Sequence, residues 1–124
     1  MGLAMTTQLK NIELPMAEIE QFCQKWNLTE FALFGSVLRD DFRPDSSDVD
    51  VMIQFHPDTY AAFQGWDYYS ALGDMEQELK SVFHRDVDVI VRSNIEKSSN
   101  YLRRHEILST AKVIFDSTGS SLSV

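Results

Sequence analysis

Apolar residues first recur with a helical period at Ile19, Phe22, Cys23 and Trp26, behind Pro15. This predicts a helix with one packed face, opening at Pro15 and closing across residues 27–30. The next run, Phe31-Ala32-Leu33-Phe34, is apolar without a break, the pattern of a short strand buried on both faces at the centre of a sheet. Alternation takes over in residues 48–55, where Val49, Val51, Ile53 and Phe55 oppose Asp48, Asp50 and Met52, so one strand face packs while the other carries acids. His56-Pro57-Asp58 ends that strand, and the stretch to Gly65 reads as a loop.

From Trp66 a second helical pattern runs through Tyr69, Leu72, Met75, Leu79 and Val82, leaving Tyr60, Phe63 and Tyr68 outside the stripe as an aromatic cluster that could serve as a partner surface. Residues 86–91 alternate again, with Asp86, Asp88 and Ile90 on one face and Val87, Val89 and Val91 on the other. Residues 95–109 are a partly periodic helix containing the basic run Arg103-Arg104-His105, read as a solvated face, and Lys112-Val113-Ile114-Phe115 is a last short strand. Residues 1–13 show no period and read as a flexible leader, residues 14–116 as one domain, and residues 117–124 as a polar tail.

Charge narrows the partners. Acidic side chains outnumber basic ones by 19 to 11, a net charge of -8, which disfavours direct binding to nucleic acid. The lone cysteine, Cys23, falls on the apolar stripe of the first helix and reads as a small buried hydrophobe. No apolar run is long enough for a membrane-spanning helix. The expected setting is the cytoplasm, without a membrane partner.

The candidate chemistry sits between two strands. Gly35-Ser36 follows the apolar strand directly, and the segment after it is expected to be a short helix closed by Arg43-Pro44-Asp45. A helix starting near Ser36 would turn free amides outward, a place for phosphate oxygens; these two residues taken alone are better read as an ordinary strand-to-helix turn capped by serine, and only the acids downstream favour the phosphate site. Asp48 and Asp50 project from one side of the next strand and repel each other unless a hard cation lies between them. A third acid, Asp86 or Asp88, lies on the later strand, and three acids suffice for a two-metal site.

The run from Phe34 through Gly35-Ser36 to Asp48-Val49-Asp50-Val51 resembles the signature of the polymerase-beta-like nucleotidyltransferases. More narrowly, it is similar to the minimal nucleotidyltransferases of the MntA type, antitoxins paired with a HEPN-domain toxin. Eleven residues separate Ser36 from Asp48, one more than the family spacing, which leaves Ser46 and Ser47 both open as the matching serine. The resemblance implies an α/β (α+β) fold with a small mixed sheet of about four strands and helices mainly on one face. It selects Asp88 over Asp86 as the third acid, completing a catalytic and metal-binding set of Asp48, Asp50 and Asp88. It implies nucleotide contacts from Gly35, Ser36, Arg39, Arg43 and Ser47, two Mg2+ ions, and ATP as substrate. The implied activity is transfer of AMP to a tyrosine of the cognate HEPN ribonuclease, in a type VII-like toxin–antitoxin pair. The alternatives are a catalytically silent antitoxin that acts by binding, and a transferase for small molecules of the aminoglycoside kind, which usually needs a further substrate domain.

Overall fold

The computed structural model describes residues 6–9, 11–43, 47–63 and 66–117. Pro44, Asp45, Ser46, Gly65 and the tail beyond residue 117 lie outside them. Four strands make the main sheet: β3 (Leu28–Phe34), β4 (Val49–Phe55), β5 (Val87–Val91) and β6 (Lys112–Asp116), in the order β5-β4-β3-β6. β3 runs antiparallel to both β4 and β6, and β4 runs parallel to β5. Parallel neighbours need a crossover, and α2 (Pro57–Ala62) with α3 (Trp66–Phe83) provides it. The result is the mixed α/β sheet of four strands that the family resemblance implies.

The larger core lies on the face of Val49, Val51, Ile53 and Phe55. There α1 (Met16–Lys25) inserts Ile19, Phe22 and Cys23, and α3 inserts Met75, Leu79 and Phe83. Phe22 meets Phe31 edge to face with ring centroids 6.0 Å apart, a favoured aromatic geometry. The opposite face is not open along its whole length. Ala32, Phe34 and Met52 are covered there by Ile95 of α4 (Arg92–Glu96) and Ile107 of α5 (Tyr101–Thr110). Burial on both faces explains why β3 reads as an unbroken apolar run.

Several expectations are corrected. The segment read as a leader contains an antiparallel hairpin, β1 (Thr6–Leu9) with β2 (Ile12–Pro15), whose Ile12 and Leu14 enter the main core. Strands of four residues are too short for periodicity to reveal. Pro15 precedes the first helical residue, and α1 ends at Lys25 because Asn27 turns left-handed at φ 54° and sends Leu28-Thr29-Glu30 into β3. Of the stretch after His56, Pro57–Ala62 is helical: Pro57 occupies the first turn, and the His56 side chain accepts the Asp58 N–H. The helix expected over residues 95–109 is two helices, since Asn100 caps a new start by accepting the Arg103 N–H at 3.2 Å.

On α3 the buried stripe is Ala71, Met75, Leu79 and Phe83, and Tyr69 stands 64 % exposed instead of joining it. Tyr60, Phe63 and Tyr68 pack on the main core around Phe55 rather than forming a free patch. Cys23 is buried as expected, which pushes its thiol up to about 12. Among the described residues no helix is long and apolar enough to cross a membrane.

Candidate active site

Strand register decides which acids meet. Asp50 of β4 lies directly opposite Asp88 of β5, so two carboxylates project from one face on strands about 4.8 Å apart. Asp48 is exposed just before β4. Asp86 precedes β5 and pairs with Lys80 at 3.1 Å, while its carbonyl accepts the Val49 N–H. The geometry therefore groups Asp88 with Asp50 and gives Asp86 a surface ion pair.

Helix coverage sets the environment. The face that carries Asp50 also carries Met52, which is fully buried beneath α4 and α5. Asp50 thus stands where that cover stops, half in water and half out. Its pKa is raised, first by burial, then by Asp88 and Asp48, against a lowering pull from Arg39 and Arg103. An Asp with a raised folded pKa takes up protons more readily folded than unfolded. The resulting destabilisation is absent below the ordinary carboxylate value of 3.8 and fully present once pH has risen through the folded pKa. Asp50→Asn is therefore expected to raise the melting temperature of the metal-free protein at neutral pH, with the advantage fading on acidification. Thermal unfolding of both proteins across pH checks this, and a lower melting temperature at neutral pH would contradict it.

Gly35 closes the other side. It opens a short 3-10 turn, Gly35–Leu38, with φ +76°, a conformation glycine adopts without strain. A Cβ built on it would overlap Asp50 Oδ2 and come 3.3 Å from its Cγ. Backbone and carboxylate are thus packed so closely that any side chain here would have to displace the Asp50 carboxylate. A four-residue turn replaces the expected helix, so no helix dipole stands behind Ser36. The Ser36 carbonyl accepts the Arg39 N–H at 2.9 Å.

The remaining sequence candidates divide. Arg39 pulls the Asp50 pKa down through its charge and pairs with Asp41 at 3.1 Å. Arg43 and Ser47 clamp each other: the Arg43 N–H donates to Ser47 Oγ at 2.9 Å, and the Ser47 N–H donates to the Arg43 carbonyl at 2.8 Å. These contacts join Arg43 to the residue just before Asp48, and Arg85 adds to them by donating to the Ser47 carbonyl at 3.4 Å.

Two clefts meet here. One, of about 420 Å3, is lined by Asp50, Asp88, Glu76 and Arg103. The other, of about 520 Å3, runs between the Gly35 turn and α5, past Phe34, Leu38, Arg39 and Ile107. These volumes suit a small ligand. Among the described residues no group of three or more His, Cys, Asp or Glu could hold a metal ion. The donor set nevertheless fits a hard cation that takes phosphate oxygens and water for its other ligands, because the paired carboxylates are oxygen donors whose repulsion a cation relieves.

Three contributors escaped sequence reading. Asn11, at the hairpin turn, donates both amide hydrogens to the turn backbone, to the Val37 carbonyl at 2.6 Å and the Arg39 carbonyl at 2.7 Å. Glu76 reaches round the sheet edge from α3 and accepts the Val89 N–H at 3.0 Å, steadying the strand beside Asp88. Arg103 belongs to a basic run read as solvated, yet it lines both clefts. No periodic signal marks these positions, since each acts across a long-range contact.

Comparison with known proteins bears on the fold and the family. No curated protein matches the sequence. Among solved structures, a toxin–antitoxin crystallised with AMP-PNP is similar with a TM-score of 0.57 at 20 % identity, over 84 % of this chain and 75 % of that one. A mutant of the toxin–antitoxin MntA-HpeT matches with a TM-score of 0.57 at 17 % identity, over 84 % of this chain and 75 % of that one. The toxin–antitoxin MntA-HepT matches with a TM-score of 0.51 at 17 % identity, over 82 % and 70 %. At such identities the likeness is one of fold. A family model for the nucleotidyltransferase domain matches residues 17–115, a span that holds Gly35-Ser36 and all three acids, and the chain therefore belongs to the nucleotidyltransferase-domain family.

Proposed function

We propose that this protein is the antitoxin of a type VII-like toxin–antitoxin pair, and that it transfers AMP from ATP to a tyrosine of its cognate HEPN ribonuclease toxin, silencing it. The observation that carries the reading is the register pair Asp50 and Asp88, aimed into a cleft with Gly35 packed on Asp50. Family membership supports nucleotide transfer, and similar folds in toxin–antitoxin structures, one crystallised with AMP-PNP, support the partner and the nucleotide. The net charge of -8 supports a protein acceptor over a nucleic acid.

In this reading the paired carboxylates of Asp50 and Asp88, joined by Asp48 from just before β4, would hold Mg2+, two ions in all, and the metal would supply charge neutralisation at the triphosphate. The backbone of Gly35 and Ser36 faces the departing pyrophosphate, where fixed dipoles stabilise developing charge. Asp88 orients the tyrosine hydroxyl and accepts its proton as the oxygen bonds to the α-phosphorus. The bond from that phosphorus to the bridging oxygen breaks, and pyrophosphate leaves. A minimal enzyme suits an acceptor that brings its own surface.

Identification of the neighbouring gene comes first: a HEPN-domain ribonuclease there supplies the substrate, and an isolated gene counts against the reading. Incubated with that toxin, ATP and Mg2+, the protein is expected to raise the toxin's intact mass by whole AMP units and to remove its ribonuclease activity. Chelation of Mg2+ should abolish both effects. Neutralisation without any added mass would leave an antitoxin that acts by binding.

A further inference from the structure

We propose that Arg103 of α5 is a polyphosphate clamp, gripping a nucleoside triphosphate where its phosphates cross from the Asp50–Asp88 cleft to Gly35. The inference deepens the function proposed above and rests on it for the nature of the anion.

Position is the first support. Arg103 lines both the acidic cleft and the cleft between α5 and the Gly35 turn, as does Phe34 beneath it. A ligand reaching from Asp50 and Asp88 into the larger cleft therefore passes this side chain. Its aim follows from helix geometry: Arg103 and Ile107 are one turn apart on a single helix face. Ile107 is buried against the cluster of Phe34 and Met52, which turns that face, and Arg103 with it, towards the sheet.

Chemistry is the second support. Among the described residues no ion pair or side-chain hydrogen bond engages the Arg103 guanidinium, although it is close enough to Asp50 to lower that group's pKa. Its neighbour Arg104 is occupied, stacked 5.4 Å from the Tyr101 ring centroid and donating to the Ser98 carbonyl at 3.0 Å. A guanidinium is a planar fork suited to paired phosphate oxygens. Arg39 lines the larger cleft from the opposite side. The rival role is a counter-ion that merely offsets the acids.

Calorimetry on the full chain separates the two, using MgATP, adenosine and Mg2+ alone as probes with wild type, Arg103→Ala and Arg103→Lys. Arg103 is exposed on its helix, and alanine is a strong helix former, so both variants should melt near wild type. For a clamp, Arg103→Ala should bind MgATP about 10- to 100-fold more weakly, the loss of a charge-assisted hydrogen bond. Arg103→Lys should fall between, and adenosine binding should not change. Wild-type affinity for MgATP in Arg103→Ala, or tighter Mg2+ binding with no loss of MgATP, would make Arg103 a counter-ion and overturn the clamp. An equal loss for adenosine and MgATP would also overturn it. Wild type that binds no MgATP would sink the proposed nucleotide transfer itself and the clamp with it. Normal MgATP binding lost in Arg103→Ala, together with an unmodified toxin, would sink AMP transfer alone and sustain the clamp.

Discussion

Replacing both Asp48 and Asp50 by Asn should reduce AMP transfer to the toxin by at least about a thousandfold, because positioning and charge stabilisation are most of phosphoryl-transfer catalysis. The change keeps side-chain shape and removes two negative charges. It should leave the core intact, since Val49, Val51, Ile53 and Phe55 pack on the opposite face of β4. Relief of the burial and repulsion at Asp50 should even favour folding without metal. Intact-mass spectrometry of the toxin after incubation with ATP, Mg2+ and either version reads the outcome. Full protection by the double variant, with no mass added to the toxin, would eliminate the enzyme and leave the binder.

Gly35→Val should lower transfer by about a hundredfold or more, the scale on which misplacement of catalytic groups by about 1 Å is felt. Two effects act together. The positive φ becomes strained at a cost of about 1–3 kcal/mol, and the new side chain meets the Asp50 carboxylate. Gly35→Ala should show the same defect in milder form, because its Cβ already overlaps Asp50 Oδ2. Transfer assays paired with thermal melts test this: a folded but inactive variant is the expected result. Wild-type activity in Gly35→Val would contradict a role at the site, and global unfolding would make the glycine structural.

Much of this architecture was legible before folding was considered. Period-two alternation predicted Asp48 and Asp50 on one strand face and the valines on the other; within β4 the structure keeps Asp50 and Met52 opposite Val49, Val51, Ile53 and Phe55, because a one-residue slip would invert the whole strand, while Asp48 lies just before it. Three- and four-residue spacing marked α1 and α3. The order of Gly35-Ser36, Asp48, Asp50 and a later acidic strand pointed to nucleotide transfer through its resemblance to a known family, and a motif of this kind is a property of the chain itself. Signals for two misread elements were also present: Pro57 at a helix start and Asn100 as a cap.

What only tertiary structure decided are the relations between segments. Alternation puts Asp86 and Asp88 on one face without ranking them. Pairing of β5 with β4 sets Asp88 opposite Asp50 and leaves Asp86 to Lys80. The raised pKa of Asp50 comes from burial and from the carboxylates of Asp88 and Asp48, and the meeting with Asp88 is set by strand pairing, which no local pattern encodes. Asn11 reaches the backbone of the Gly35 turn across 26 and 28 residues of chain. Arg103 faces the acids because Ile107 is anchored one turn away. Periodicity reports which face of an element is apolar, while the meeting of two faces depends on sheet order and helix docking, and the acids, the glycine and the arginine come together only there.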